Sequence, residues 1–210
     1  MHSSLAGMEN DTSASSANAI DWNAGLVDQL DWQWQNHFRP RLDGLTDDEY
    51  FWEPVPGCWS IRPRGATSVK ADDMLGTGPF VLEYGYPEPE VPPVTTIAWR
   101  LAHVIVGCLG MRSASHFGGL PCDWRTFSYA GAASDALAQL DDAYAIWTKG
   151  VRGLGTDGLA RPCGPAEGPY AESPLAELVL HINREVLHHG AEIALLRDLY
   201  RWKEADPDGL

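Results

Sequence analysis

The stretch His181-Ile182-Asn183-Arg184-Glu185-Val186-Leu187-His188-His189-Gly190-Ala191-Glu192 carries a carboxylate and an imidazole four residues apart inside a strongly patterned helical segment. Residues at i and i+4 lie one above the other on a helix, so Glu185 and His189 can address one small volume and hold two corners of a metal ion. Leu175, Val179, Ile182, Val186, Ile193, Leu196 and Tyr200 recur at alternating spacings of four and three, and His189 fills the one step that is not apolar. His189 is therefore expected on a buried seam, with Glu185 at its edge. A polar group there costs on the order of several kcal/mol unless it is satisfied. Two readings stand side by side: a core histidine bonded to a neighbour, with Glu185 solvated, or a pair of ligands.

A third ligand has one convincing candidate. Within Thr95-Thr96-Ile97-Ala98-Trp99-Arg100-Leu101-Ala102-His103-Val104-Ile105-Val106-Gly107-Cys108-Leu109-Gly110-Met111, His103 is embedded in a helix apolar on nearly all sides. Such a helix is expected to be buried, which turns His103 toward another helix. Three such groups meeting inside a bundle make a metal site open to substrate. Zinc accepts a carboxylate oxygen beside two imidazoles, and a three-ligand set with an open position is catalytic in type. Nickel or iron also suits these donors.

The strings Trp99-Arg100-Leu101-Ala102-His103-Val104 and Glu185-Val186-Leu187-His188-His189-Gly190 resemble the DinB superfamily of four-helix bundle proteins, over most of residues 20–203. Members usually carry one His on the second helix and a pair on the fourth, and many have His where this chain has Glu185. The His, Glu, His set is similar to that of the mycothiol-dependent maleylpyruvate isomerases of the same superfamily, which bind zinc with it. The resemblance implies His103, Glu185 and His189 as ligands. It also implies a low-molecular-weight thiol such as mycothiol as co-substrate, and thiol S-transfer or thiol-assisted isomerisation of an electrophilic small molecule. No isomerase-specific thiol-binding motif can be placed on the sequence, so the substrate does not follow from the ligands.

His181, Glu185, His188 and Glu192 form a second stripe beside the seam, at spacings of four, three and four. His181 and His188 are expected at the surface or as partners that fix a ligand's tautomer, and Glu192 faces either solvent or a pocket. Trp99, one turn before His103, and Trp59 are candidates to wall the site, although nine Trp mostly signal an aromatic core. Arg100 and Arg184 neighbour the candidate ligands and would bind an anion if turned inward. A metal-dependent hydrolase is a rival reading, but no His-Glu-x-x-His string places a general base. A non-catalytic metal-binding or small-molecule-binding bundle, such as a stress-response dimer, is another. The last alternative has no metal, with both histidines satisfied by Glu185.

The elements that must position these groups read as all-α, a four-helix bundle with a long crossover and a Pro/Gly-rich insertion between helices one and two, with Gly57–Arg62 as a strand or extended loop. The first helix is expected from Asp21 to about Arg39, ended by Pro40, with His37 at its edge. Thr46-Asp47-Asp48-Glu49 reads as a capping box. Residues 62–93 form the insertion, whose Phe80, Tyr84 and Tyr86 either line a pocket or pack the loop down. The second helix runs from Thr95 or Thr96 to about Ser115, leaving His116 exposed at a frayed end. Ser134-Asp135 is expected to cap the third, and Ser173-Pro174 to open the fourth.

The chain has 210 residues, enough for one domain with a substantial core, expected over residues 20–205 behind a disordered tail at 1–19. A net charge of −14, with no basic stripe among 15 cationic residues, argues against nucleic acid. No signal-like or membrane-spanning stretch is evident, which gives the expectation of a cytoplasmic protein acting on a small molecule, with a homodimer allowed for. Cys58, Cys108, Cys122 and Cys163 have no C-x-x-C spacing and are expected as reduced thiols.

Overall fold

The computed structural model describes residues 20–66, 73–87 and 89–205, so the tail expected over 1–19 lies outside the described residues. The fold is mostly helical. The first long helix, α1, comprises Trp22–Gln33, a π-helical turn Trp34–Phe38 and a last turn Arg39–Arg41. Asp21 caps it by accepting the Ala24 N–H at 2.9 Å. Pro40 sits inside the final turn rather than ending the helix, because the widened turn before it relieves the clash of the ring with the preceding carbonyls. A short helix α2 (Asp47–Tyr50) follows, capped by the Thr46 hydroxyl, which accepts the Glu49 N–H.

The insertion folds into a small antiparallel sheet of β1 (Ile61–Pro63), β2 (Asp73–Leu75) and β3 (Phe80–Tyr84) in the order β1-β3-β2. Leu82 pairs with both Ile61 and Leu75, and all three are buried against the helices. Phe80 and Tyr84 pack the sheet onto the core, whereas Tyr86 is exposed. The sequence pattern pointed only to an extended segment before Arg62. The other two strands are short and separated by Gly76-Thr77-Gly78-Pro79, and each gains stability only from its neighbours.

The second long helix, α3, comprises Ile97–Ala102, a π-helical stretch His103–Gly110 and Met111–Phe117, closed by left-handed Gly118 at φ 68°. The third, α4 (Ala133–Arg152), has no side-chain cap from its own flank; instead the Asp47 carboxylate accepts the Ala133 N–H at 2.8 Å. A short helix α5 (Gly155–Ala160) and a 3₁₀ turn (Pro165–Tyr170) lead to α6 (Leu175–Ala205). The start of α6 is pinned by the Leu175 N–H donating to the Arg161 carbonyl at 2.8 Å.

α1 packs against α4 and α6, and α3 packs against the same two, so α1 and α3 occupy one diagonal and α4 and α6 the other. α3 and α4 run parallel. Both begin at the end covered by the insertion, where Asp47 meets Ala133, and both finish where Phe117 lies against Trp147. Residues 118–132 therefore cross back along the bundle, the long crossover that the sequence led us to expect. Trp34 stacks on Tyr144 with ring centroids 3.7 Å apart, tying α1 to α4. Among the described residues no helix is long and apolar enough to cross a membrane.

Candidate metal centre

Thr96 fixes where α3 starts: its hydroxyl accepts the Trp99 N–H and meets Ser60 at 2.9 Å. About two turns later, His103 opens the π-helical stretch, a widened geometry that recurs at functional sites. The Trp99 ring lies parallel to His103, at 5.7 Å and 8°, and its indole N–H donates to the Glu83 carbonyl at 2.8 Å. Trp124, from the crossover, covers another side of His103 at 5.8 Å. It fits there only because residue 107 is glycine: a Cβ on Gly107 would lie 2.5 Å from the Trp124 ring. Trp59 is buried one ring further back, 6.3 Å from Trp99, so it backs the wall without facing the histidine.

His189 is on the seam as expected, 7% exposed, and meets His103 edge to face with centroids 4.5 Å apart. Glu185 stands beside them, its Oε2 3.5 Å from His189 Nε2. One donor atom from each of His103, Glu185 and His189 lies within 4.8 Å of the other two. The structure thus brings the three sequence candidates together from α3 and α6.

The remaining contacts prepare these donors. Glu192 Oε2 accepts from His189 Nδ1 at 2.7 Å, which places that ring's proton on Nδ1 and leaves the Nε2 lone pair facing Glu185. The same carboxylate oxygen meets Arg100 Nε at 3.1 Å. Burial disfavours charge on Glu192, but the His189 hydrogen bond and the Arg100 guanidinium hold its carboxyl below the usual range. Burial, with His189 and Arg100 nearby, pushes His103 down to about 4, so its imidazole is neutral at neutral pH. A neutral imidazole is the form that ligates metal. Two imidazoles and a carboxylate match the donor chemistry of a divalent-ion site that takes a further ligand.

The second stripe divides. Glu192 is the orienting partner; His188 is exposed, 3.4 Å from Glu192 Oε1; His181 is half-buried, 3.6 Å from Glu185 Oε1. His188, His189 and Glu192 form another close donor group, but Glu192 is already engaged by Arg100. Arg100 turns inward to Glu192, while Arg184 stays exposed beside Glu185 at 3.7 Å. Burial, with Glu185 nearby, pushes the Cys108 thiol up to about 12, so it stays protonated. No disulfide joins Cys58, Cys108, Cys122 or Cys163.

His116 corrects an expectation. It is half-buried rather than exposed, its ring covered and its Nε2 2.9 Å from Glu167 Oε1, because the 3₁₀ turn folds over the end of α3. Trp124 and Glu167 carried no sequence signal, since both reach the helices from loops. The family comparison agrees with the geometry: a model described as the DinB superfamily matches residues 29–193. No curated protein and no solved structure matches the chain.

Proposed function

The chain belongs to the DinB superfamily, and on that basis we propose that His103, Glu185 and His189 hold a divalent metal, zinc before nickel or iron, in an enzyme acting on an electrophilic small molecule with a low-molecular-weight thiol. The observation that carries this reading is the convergence of two imidazoles and a carboxylate from two helices within 4.8 Å. Bound there, the ion would supply Lewis-acid activation, lowering the pKa of a thiol or water that joins it.

The chain's own residues do the rest. His103 stays neutral through burial, Glu192 holds His189 in the ligating tautomer, and Glu185 supplies the single negative charge. Trp99 and Trp124 keep bulk water from two sides of His103. Of the two groups that could serve a hydrolase as general base, Glu192 is committed to His189 and Arg100 and His188 is exposed, and this favours thiol chemistry over hydrolysis.

Elemental analysis of the untagged protein tests the reading. Near one equivalent of metal is expected, lost in His103→Ala, Glu185→Ala and His189→Ala while the helical circular dichroism persists. Metal retained in all three variants would overturn it. Transfer of a small thiol to an electrophile should disappear in the same variants.

A further inference from the structure

We propose that the pocket beside the centre binds the carboxylate of an organic anion through Arg112 and presents the rest of that molecule to His103, Glu185 and His189; only this second half rests on the metal reading above. The pocket, of about 760 Å³, lies between the later half of α3, the earlier half of α6 and the 3₁₀ turn. That is the size of a small-molecule site. The ligand triad does not line it, but the two are contiguous. Glu185 turns Oε2 to His189, and its Oε1 lies 3.6 Å from His181 and 3.7 Å from Arg184, both of which line the pocket.

Arg112 is the group whose bonding is incomplete. Its Nη1 donates to the Gly107 carbonyl at a long 3.3 Å, its Nη2 is 3.4 Å from Glu167 Oε2, and its buried Nε has no partner. Arg197, by contrast, is saturated: Nε and Nη2 donate to Glu49 at 2.6 and 3.0 Å, and Nη1 to the Arg41 and Asp43 carbonyls. A buried donor left unmet is destabilising, so Arg197 is a structural arginine and Arg112 is poised for a ligand. Glu167 answers that need only in part: its Oε1 bonds His116 at 2.9 Å, and its Oε2 stands 3.4 Å from Nη2 and does not meet Nε. A carboxylate matches the guanidinium fork in charge and geometry. Leu178, Ala166, Pro169 and Tyr170 add apolar wall, which fits a carboxylate carried on an apolar body. Arg184, at the exposed rim, favours approach of an anion.

Benzoate is the probe, with benzamide as its neutral counterpart, titrated into the purified protein and followed by ligand-observed NMR. Benzoate is expected to bind saturably and at least about tenfold more tightly than benzamide. Arg112→Met should weaken benzoate by about tenfold or more, the loss of a charge-assisted contact. Ala166→Trp, at an exposed wall position, should block the pocket with Arg112 intact, so the answer does not hang on one variant's folding. No saturable binding, equal affinity for benzamide, or undiminished binding in both variants overturns the proposal. In cobalt-loaded protein the bound ring protons should relax faster, and His189→Ala should abolish that effect without weakening benzoate. If no metal binds at all, the titrations still decide the pocket; unrelaxed protons in a loaded protein overturn its link to the centre.

Discussion

His103 and His189 come from different helices yet sit with their rings in contact, and most of what holds them ready is done by residues that are not ligands. Glu192 is the clearest of these. Glu192→Ala leaves all three donors in place but frees the His189 ring and unpairs Arg100. Partners of this kind typically contribute about 10–100-fold to metal affinity. Competition with a chelator should show a loss in that range, and an unchanged affinity would show that Glu192 orients nothing. At this scale the seam made His189 legible, because a single polar step in an apolar repeat demands a partner. The choice of partner was not legible: Glu185 and Glu192 lie four residues before and three after, and helical spacing admits both. Trp124 was beyond reach, since its place depends on a glycine on another segment leaving a gap.

Among the elements, α6 departs most from its pattern. The spacing assigns Leu196 and Tyr200 to the seam, yet both are half-buried, and Arg197 takes the core position at 1% exposure. A charged residue at such a place reads as surface because it is almost never buried unpaired. Here its partner is Glu49, 3% exposed, which in sequence looked only like the far end of a capping box. The pair joins the end of α2 to α6 and, through the Arg41 and Asp43 carbonyls, to the end of α1. Removing one partner strands a buried charge. Arg197→Ala should destabilise the fold by about 3–5 kcal/mol in urea unfolding, whereas the double change Arg197→Met with Glu49→Leu should recover most of the loss. Equal losses in the single and double variants would refute this account. The long helices themselves were legible from their apolar period, but their caps were not: Asp47 caps α4 from across the fold, and no local rule announces it.

At the scale of the molecule, the buried phenols set a limit on the alkaline side. Burial raises the pKa of Tyr50 first, and Asp47 and Asp135 add to it; its hydroxyl donates to the Ala130 carbonyl at 3.2 Å. Burial raises Tyr129 likewise, with Cys122 and Asp123 adding to it. Each group has a folded pKa above its unfolded value near 10, so the folded state holds protons that the unfolded state loses. That stability is fully present below about pH 10 and falls as pH rises toward the folded values. Urea midpoints should therefore decline steeply above about pH 10, and Tyr50→Phe should make the decline shallower; a flat profile would contradict the burial. The fold class and the site-bearing helices were legible because their signal is periodic, while the sheet and the pocket depend on contacts between distant segments. The diagonal placement of α1 and α3 has one more consequence. The connection between them must pass over an end of the bundle; it backs the site through Trp59 and through the Glu83 carbonyl that holds Trp99, and is anchored to the helices at Asp47 and Glu49, so the length between those anchors is the part left free. Loop closure grows only slowly with length. Descent with modification can therefore rebuild that covering, and with it what the centre admits, while the ligands and the four long helices stay as they are.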